Sequence, residues 1–431
     1  MHSFLRTVPA LALCCFLFLT LSTSCRDQSK EPGADEGELA AEPKEAPASS
    51  PGELKALVRP TPPAAIEPLQ QIEATSDGRL KATSASKDRV AGVMNRLLLH
   101  LRVWALASPE NTWALIHALL VFEPNKKLPD HDVTILDAVL AMATTKEVGG
   151  KIVPTYTGEA RDGTPREPHR NQVVKLLLQT GVCPDHRFEV EEKSFTVADL
   201  VDSALWRFEE PSNEAWEHES WTLSAMARSA KHTGKTSFLN YAGVRFDGRE
   251  LALRAAAHLN REMEFLEDAR QAGTQIQKRR EGVHGHPCGG LHLARTPSFW
   301  LEDAEIREAL IPAMQRAAVT LAWRLQAEER VYTDLRRQHP SQDILITAQE
   351  MKFYGHWLET MAALRDSGID VDLKAVDRGI SLLVKSVERL DRIGTFNRME
   401  DVRKHRVQTY RDLIGDAAHA LHGLRLWIPE E

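Results

Sequence analysis

The stretch VMNRLLLHLRVWALASPENTWALIHALL, residues 93–120, indicates the fold class. Its apolar residues recur at intervals of three and four, the spacing that gives a helix one buried face. The segment Ser108-Pro-Glu-Asn111 interrupts this pattern with residue types that end and begin helices. The stretch therefore predicts a helical hairpin, two helices joined by a short turn.

The same periodicity continues through the rest of the chain. Glycine and proline lie between the periodic segments far more often than within them. Strand-like alternation is scarce, and residues 153–156 are its best short example. The sequence therefore predicts an all-α protein. Further helices are expected at residues 171–180, 197–208, 221–230, 249–269, 306–332, 348–364, 375–393 and 407–427.

The first residues are expected to be a targeting signal. Arg6 precedes an apolar run from Val8 to Leu21, which is shorter than the about twenty residues that span a bilayer. The run ends in Leu21-Ser-Thr-Ser-Cys25, which resembles the lipobox of bacterial lipoproteins. Residues 1–25 are therefore assigned to a lipoprotein-type signal peptide, with Cys25 as the lipidated residue. A secretory signal cleaved near Ser24 and an uncleaved anchor are the alternatives.

All three assignments place the mature chain outside the cytoplasm. The lipoprotein assignment places it in the bacterial cell envelope, lipid-anchored and either periplasmic or surface-exposed. Residues 26–88 are rich in Pro, Ala, Glu, Ser and Lys and are predicted to form a disordered linker, because they cannot bury enough apolar surface. Residues 89–431 contain no second break of this kind and are expected to form one domain. The net charge of −7 and the pI near 6.2 argue against a nucleic-acid partner.

The densest cluster of candidate ligands is His284-Gly-His286-Pro-Cys288-Gly-Gly-Leu-His292. Cys288 and His292 would share one helix face, and His284 or His286 could reach them from the preceding loop. Imidazole and thiolate are the ligands that zinc prefers. The cluster predicts a metal site formed by Cys288, His292 and His286, with zinc as the candidate ion. A binding site without metal and a hydrogen-bonded structural corner are the alternatives.

Three further residues are candidates for catalysis. Glu219 begins a predicted helix and would suit a general acid or base, because burial raises the pKa of a carboxyl group. The alternative is a carboxylate that interacts with the helix dipole. His356 and Glu359 are three residues apart, so both can face one cavity, as a metal pair or as a base held by a carboxylate.

Polar or aromatic residues recur near the beginnings of the predicted helices. The segments are His169-Arg-Asn-Gln172, Phe195-Thr-Val-Ala-Asp-Leu200, Glu219-Ser-Trp-Thr-Leu223, Cys288-Gly-Gly-Leu-His292, Gly355-His-Trp-Leu-Glu359 and His419-Ala-Leu-His-Gly-Leu424. In these segments the chain resembles uncharacterised bacterial extracytoplasmic proteins built on the α/α toroid shared by terpenoid cyclases and protein prenyltransferases. The resemblance implies that inner helices converge on a central cavity.

The resemblance also implies which side chains line that cavity. Besides the candidates above, they are Trp113, His117, His169, Trp221 and His419. Prenyltransferases of this fold hold zinc with an aspartate, a cysteine and a histidine, and Cys288 with His292 or His356 could supply the latter two. Terpene-cyclase aspartate motifs are absent from the sequence. Fold alone does not fix the chemistry.

Two functions compete for this cavity. The first is an enzyme that acts on a glycan or peptide of the envelope or the extracellular space, with Glu219 and Glu359 facing each other across the cavity. The second is a non-catalytic binding or scaffolding module, in which tryptophans fill the cavity and the polar residues only join helices. The sequence does not decide whether the protein is an enzyme, and the expected partners are the membrane, through the lipid anchor, and an envelope or extracellular ligand.

Overall fold

The computed structural model describes residues 73–429, except 108, 161–164, 168, 212–215, 277–287 and 289. These residues are mostly helical, which confirms the predicted all-α class. The α-helices are α1 (Lys87–Trp104), α2 (Thr112–Ala118), α3 (Ile135–Leu140), α4 (Gln172–Gln179), α5 (Val197–Trp206), α6 (Ser220–Thr233), α7 (Gly248–Ala272), α8 (Leu291–Arg295), α9 (Arg307–Gln338), α10 (Asp343–Asp366), α11 (Leu373–Arg392), α12 (Met399–His405) and α13 (Val407–Trp427). The predicted signal peptide, with Cys25, lies outside the described residues.

The strands form short antiparallel hairpins between helices. They are β1 (Thr144–Val148) with β2 (Lys151–Thr155), β3 (Arg187–Val190) with β4 (Lys193–Thr196), and β5 (Ser237–Leu239) with β6 (Arg245–Asp247). The alternation at residues 153–156 thus falls mainly in β2, whereas the other strands were not predicted. Opposed aromatic rings stabilise two hairpins: Phe188 faces Phe195, and Phe238 faces Phe246.

The predicted hairpin at residues 93–120 is present as two separate helices. The side chain of Asn111 accepts a hydrogen bond from the Ala114 amide and thereby begins α2. Both α1 and α2 pack against α13, far away in sequence. Near the end of α1, Trp104 meets Tyr410 edge-on, with ring centroids 6.0 Å apart. The two helices therefore bury their apolar faces on the C-terminal helix.

The fold begins before the predicted domain boundary at residue 89. Residues 73–86, which the sequence analysis assigned to the linker, include Leu80, which is 1% exposed. The Leu80 amide donates a hydrogen bond to the Trp427 carbonyl at 3.0 Å. The side chain of Ser86 then caps α1. Ala85 is also buried, and the Ser84 amide donates a hydrogen bond to Asp377 Oδ1 at 2.6 Å. A composition average cannot detect a few anchors of this kind.

Helix α10 forms the centre of the packing. It is buried along most of its length and contacts α9, α11 and α13. Its contact with α13 is the most extensive between any two described elements. A Cβ on Gly355 would lie 2.9 Å from the Ala420 nitrogen, and one on Gly423 would lie 2.9 Å from the Gly355 oxygen. Glycine at both positions lets the two backbones approach closely, which brings residues 355–359 beside residues 419–423.

None of the helices in the described part of the chain combines the length and the apolar character needed to span a bilayer.

Candidate metal centre

Three histidines from three different helices meet in the interior. They are His292 on α8, His356 on α10 and His419 on α13. Each offers a ring nitrogen, and these nitrogens lie within 4.8 Å of one another. The ring centroids of His356 and His419 are 3.9 Å apart, and those of His292 and His356 are 4.6 Å apart. Neutral imidazoles gathered in this way are the donor set of many zinc and other transition-metal centres.

Glu359 lies one helical turn after His356 on α10 and forms hydrogen bonds that link the helices of the cluster. Its side chain is fully buried. It accepts a hydrogen bond from His419 Nδ1 at 2.9 Å and one from His422 Nδ1 at 2.6 Å. Arg295 Nη1 approaches the same carboxylate at 3.1 Å. The carboxylate thus connects α8, α10 and α13 at one point.

These hydrogen bonds determine which nitrogen of His419 is available to a ligand. An ionised carboxylate only accepts hydrogen bonds, so Nδ1 of His419 carries the proton and donates it to Glu359. Nε2 of the neutral ring then keeps a free lone pair. A histidine oriented by a carboxylate in this manner is the usual supporting arrangement in metal centres. His356 Nδ1 is 3.4 Å from Glu359 Oε2, at the limit of such an interaction.

In His292 the roles of the two ring nitrogens are reversed relative to His419. Arg295 Nη2 lies 3.2 Å from His292 Nδ1, and a guanidinium only donates hydrogen bonds. Nδ1 is therefore the acceptor, and the proton of the neutral ring sits on Nε2. A metal ion that used Nε2 of His292 would require the other tautomer, and hence loss of the hydrogen bond from Arg295.

Burial sets the protonation of the cluster. Desolvation lowers the pKa of His356, and it lowers the pKa values of His292 and His419 to well below the usual range. Burial alone would raise the pKa of Glu359, but His419 and Arg295 outweigh this effect and hold that pKa well below its ordinary value. Neutral imidazoles around an ionised carboxylate are the state that metal ligation requires.

The predicted cavity-lining residues surround this cluster. His117 lies beside His419, with ring centroids 5.5 Å apart, and its Nδ1 is 2.6 Å from the Trp113 carbonyl. On the other side, Trp221 lies 4.7 Å from His292 and stacks on His169 at 3.9 Å. Trp113 lies behind His117, and its indole N–H donates to the Arg411 carbonyl. The residues that the sequence analysis assigned to one cavity are thus neighbours in the fold.

Glu219 belongs to a separate ion pair. It occupies the N-cap position of α6, and its Oε1 lies 3.2 Å from Arg170 Nη1. Burial raises the pKa of Glu219, although Arg170 opposes the shift. Its hydrogen-bond partners differ from those of Glu359, so the described contacts place the two carboxylates in different networks. Glu219 has the raised pKa of a general acid or base, whereas Glu359 is an ionised acceptor that positions histidines.

The predicted metal ligands have different outcomes. His292 belongs to the three-histidine group, whereas Cys288 is buried but is not among the side chains that converge. Burial raises the pKa of the Cys288 thiol, which disfavours the thiolate that zinc would need. His286 lies outside the described residues. Cys183 is exposed, and the two described cysteines do not form a disulfide.

Two residues in contact with the cluster were not predicted from the sequence to be site residues. Arg295 follows His292 by three positions on α8 and therefore faces the same way. His422 follows His419 by three positions on α13, and its side chain is 18% exposed, the most of the four imidazoles nearest Glu359. The spacing of three residues, already used for His356 and Glu359, would have identified both. His422 marks the side of the cluster that is nearest solvent.

No family model, curated protein or solved structure matches this chain, so the interpretation of the site rests on its own geometry.

Proposed function

We propose that the protein is a metal-dependent enzyme of the bacterial cell envelope. The observation that carries the proposal is the convergence of His292, His356 and His419. Glu359 orients His419 by accepting the hydrogen bond from its Nδ1. Zinc is the ion that this donor set fits best, because three imidazoles leave a fourth position open for water or substrate. Bound there, zinc would supply a Lewis acid and an activated water.

The roles of the remaining residues follow from their surroundings. Glu359 holds His419, and through it the ligand geometry, and is a positioning residue. Glu219 has a carboxyl group with a raised pKa near Trp221, which touches His292. We assign to Glu219 the transfer of a proton to or from a substrate. The half-buried His169 stacks on Trp221, on the side of the cluster where Trp221 contacts His292.

The cellular setting is part of the proposal. The resemblance of Leu21-Ser-Thr-Ser-Cys25 to a lipobox supports a lipid anchor at Cys25 and an envelope or extracellular glycan or peptide as substrate. An α/α toroid is supported by the order of packing, because α6 contacts α7, α7 contacts α9, α9 contacts α10, and α10 contacts α13. Inner helices of such a ring would carry the converging histidines.

Metal analysis of the full chain tests the function. Wild-type protein, loaded with zinc and freed of excess, should retain about one zinc per chain. The His356→Ala and His419→Ala variants should lose it. His100→Ala is the matched control, since His100 is buried against Phe396 and does not belong to the cluster. A folded wild type without metal, or full retention in both cluster variants, would overturn the proposal.

One observation favours a second function, a non-catalytic binding or scaffolding module. Glu359, Arg295 and His419 already satisfy one another and join three helices without an ion. In that case the wild type retains no zinc, and Glu359→Ala unfolds at much lower urea concentration, because a buried ionic network has lost its acceptor. The zinc measurement therefore separates the two functions.

A further inference from the structure

A hydrogen bond between Arg295 and His292 occupies one of the three converging histidines. Arg295 Nη2 lies 3.2 Å from His292 Nδ1, and both side chains are buried. A guanidinium has donors and no acceptor, so this hydrogen bond uses the lone pair of Nδ1. The single proton of the neutral ring is then on Nε2. With this hydrogen bond in place, neither nitrogen of His292 has a lone pair available to an ion.

An ion can therefore bind His292 in two ways, and Arg295 must withdraw from the ring in both. An ion on Nδ1 takes the lone pair that Arg295 uses. An ion on Nε2 requires the proton to move to Nδ1, where it faces the N–H groups of Arg295. Two donors cannot form a hydrogen bond with each other. The guanidinium and the ion are thus alternative partners of the same histidine.

The second contact of Arg295 makes this exchange a local event. Its other terminal nitrogen, Nη1, lies 3.1 Å from Glu359 Oε2. Glu359 also accepts hydrogen bonds from His419 and His422 on α13. Arg295 can therefore release His292 while Nη1 stays with the carboxylate, and the buried guanidinium keeps its counter-charge. Binding of an ion costs one hydrogen bond and leaves the rest of the ionic network intact.

We propose that Arg295 competes with the metal ion for His292 and thereby sets the affinity of the site. It holds the ring before an ion binds and releases it when the ion does. The inference rests on the proposed metal-dependent function and concerns the regulation of that same site. Arg295 acts on the ion through the His292 ring, so it is a positioning residue. Its removal should make the site bind zinc more tightly, whereas loss of a ligand makes it bind more weakly.

The first measurement follows the ring nitrogens of His292 by nuclear magnetic resonance. It uses wild-type, full-length protein with isotopically labelled histidine, stripped of metal, and the His292→Gln spectrum identifies the signals. Before zinc is added, Nδ1 should have the chemical shift of an unprotonated nitrogen and Nε2 that of a protonated one. Zinc should abolish this pattern, because Nδ1 then carries either the metal or the proton. A proton on Nδ1 at the start, or a His292 ring that zinc binding leaves unchanged, would overturn the inference.

The second measurement compares zinc affinities by competition with a chromophoric chelator. Arg295→Met removes the guanidinium, and Arg295→Lys keeps the positive charge but replaces two terminal nitrogens by one. Both variants should bind zinc about tenfold more tightly than the wild type, the effect of losing one hydrogen bond to a charged group. Tighter binding by Arg295→Met alone would assign the effect to charge and would refute competition for the ring. The first measurement needs no substitution of Arg295, so it decides the matter even where a variant fails to fold.

The matched control is Arg336→Met, which removes an arginine that contacts both carboxylate oxygens of Glu350. Neither of these residues belongs to the three-histidine group, so zinc affinity should be unchanged. The outcomes separate the two proposals. Zinc binding by the Arg295 variants but not by the wild type removes the proposed function and supports the competition. Zinc binding by the wild type that neither Arg295 variant improves removes the competition and keeps the metal centre, and absence of zinc from all three proteins removes both.

Discussion

Replacing Gly355 with alanine should force α10 and α13 apart at the point where both helices carry histidines of the cluster. The new Cβ would lie 2.9 Å from the Ala420 nitrogen, 3.0 Å from the Ala420 Cα and 3.1 Å from the His419 carbonyl carbon. Ordinary contacts of a Cβ begin near 3.4 Å. All three neighbours are backbone atoms, so the strain cannot be relieved by rotating a side chain, and the helices must separate by about half an ångström.

The magnitude follows from two opposing effects. Overpacking of this kind costs about 1–3 kcal/mol. Alanine in place of glycine within a helix stabilises the folded state by about 1 kcal/mol, because alanine has the higher helix propensity. Gly355→Ala should therefore lower the free energy of unfolding by up to about 2 kcal/mol. Gly92→Ala in α1 is the matched control, because its new Cβ would meet nothing within 4 Å and only the favourable effect remains.

Urea unfolding of both variants measures the difference, with the slope of the transition checked for constancy. Zinc affinity of Gly355→Ala should fall as well, because the substitution moves His356 relative to His419. If Gly355→Ala proved as stabilising as Gly92→Ala, the close approach of α10 and α13 would not exist as described.

Three further predictions concern other parts of the molecule. Glu359→Gln should lower zinc affinity about 10–100-fold, because an amide holds His419 less firmly than a carboxylate does, and unchanged affinity in a competition titration would contradict this. Burial raises the pKa of the partly buried Glu167 to about 7, so the folded state binds more protons than the unfolded state between about pH 4.5 and 7. Stability should therefore fall as pH rises through this range, by about 1–3 kcal/mol relative to Glu167→Gln, and parallel urea profiles of the two proteins from pH 5 to 8 would refute the assignment. Leu80→Ala should cost about 2–4 kcal/mol in urea unfolding, because the buried leucine fixes the segment before α1, whereas a cost below about 0.5 kcal/mol would mean that this segment does not belong to the folded unit.

Helix positions could be predicted from the sequence because they depend on local spacing. The predicted segment 407–427 coincides with α13, and the predicted segment 375–393 falls within one or two residues of α11. Apart from the alternation at residues 153–156, the strands were missed, since strands of three to five residues leave too little alternation to detect. The short helix α3 was missed for the same reason of length.

The candidate site could be predicted only as a set of residue types. The sequence analysis placed His356 and Glu359 on one helix face from their spacing, and in the structure His356 Nδ1 lies 3.4 Å from Glu359 Oε2. The meeting of His292 with His419 depends on how α8 and α13 pack against α10, which periodicity does not encode. The sequence analysis made Glu359 a catalytic candidate, whereas its contacts are those of an acceptor that positions histidines. Only the fold reveals that Arg295 and His419 surround it.

Helix α13 supplies His419 and His422, and its Trp427 carbonyl accepts the hydrogen bond from the Leu80 amide. It follows all the other described helices in the chain, so during synthesis it is the last of them to leave the ribosome. The cluster therefore cannot assemble before residues 407–427 have been synthesised. An ion held by all three histidines would be bound only after α13 has packed, in the surroundings where that packing takes place. For a protein exported in the unfolded state, the metal content would then report the ion supply of the envelope and not that of the cytoplasm.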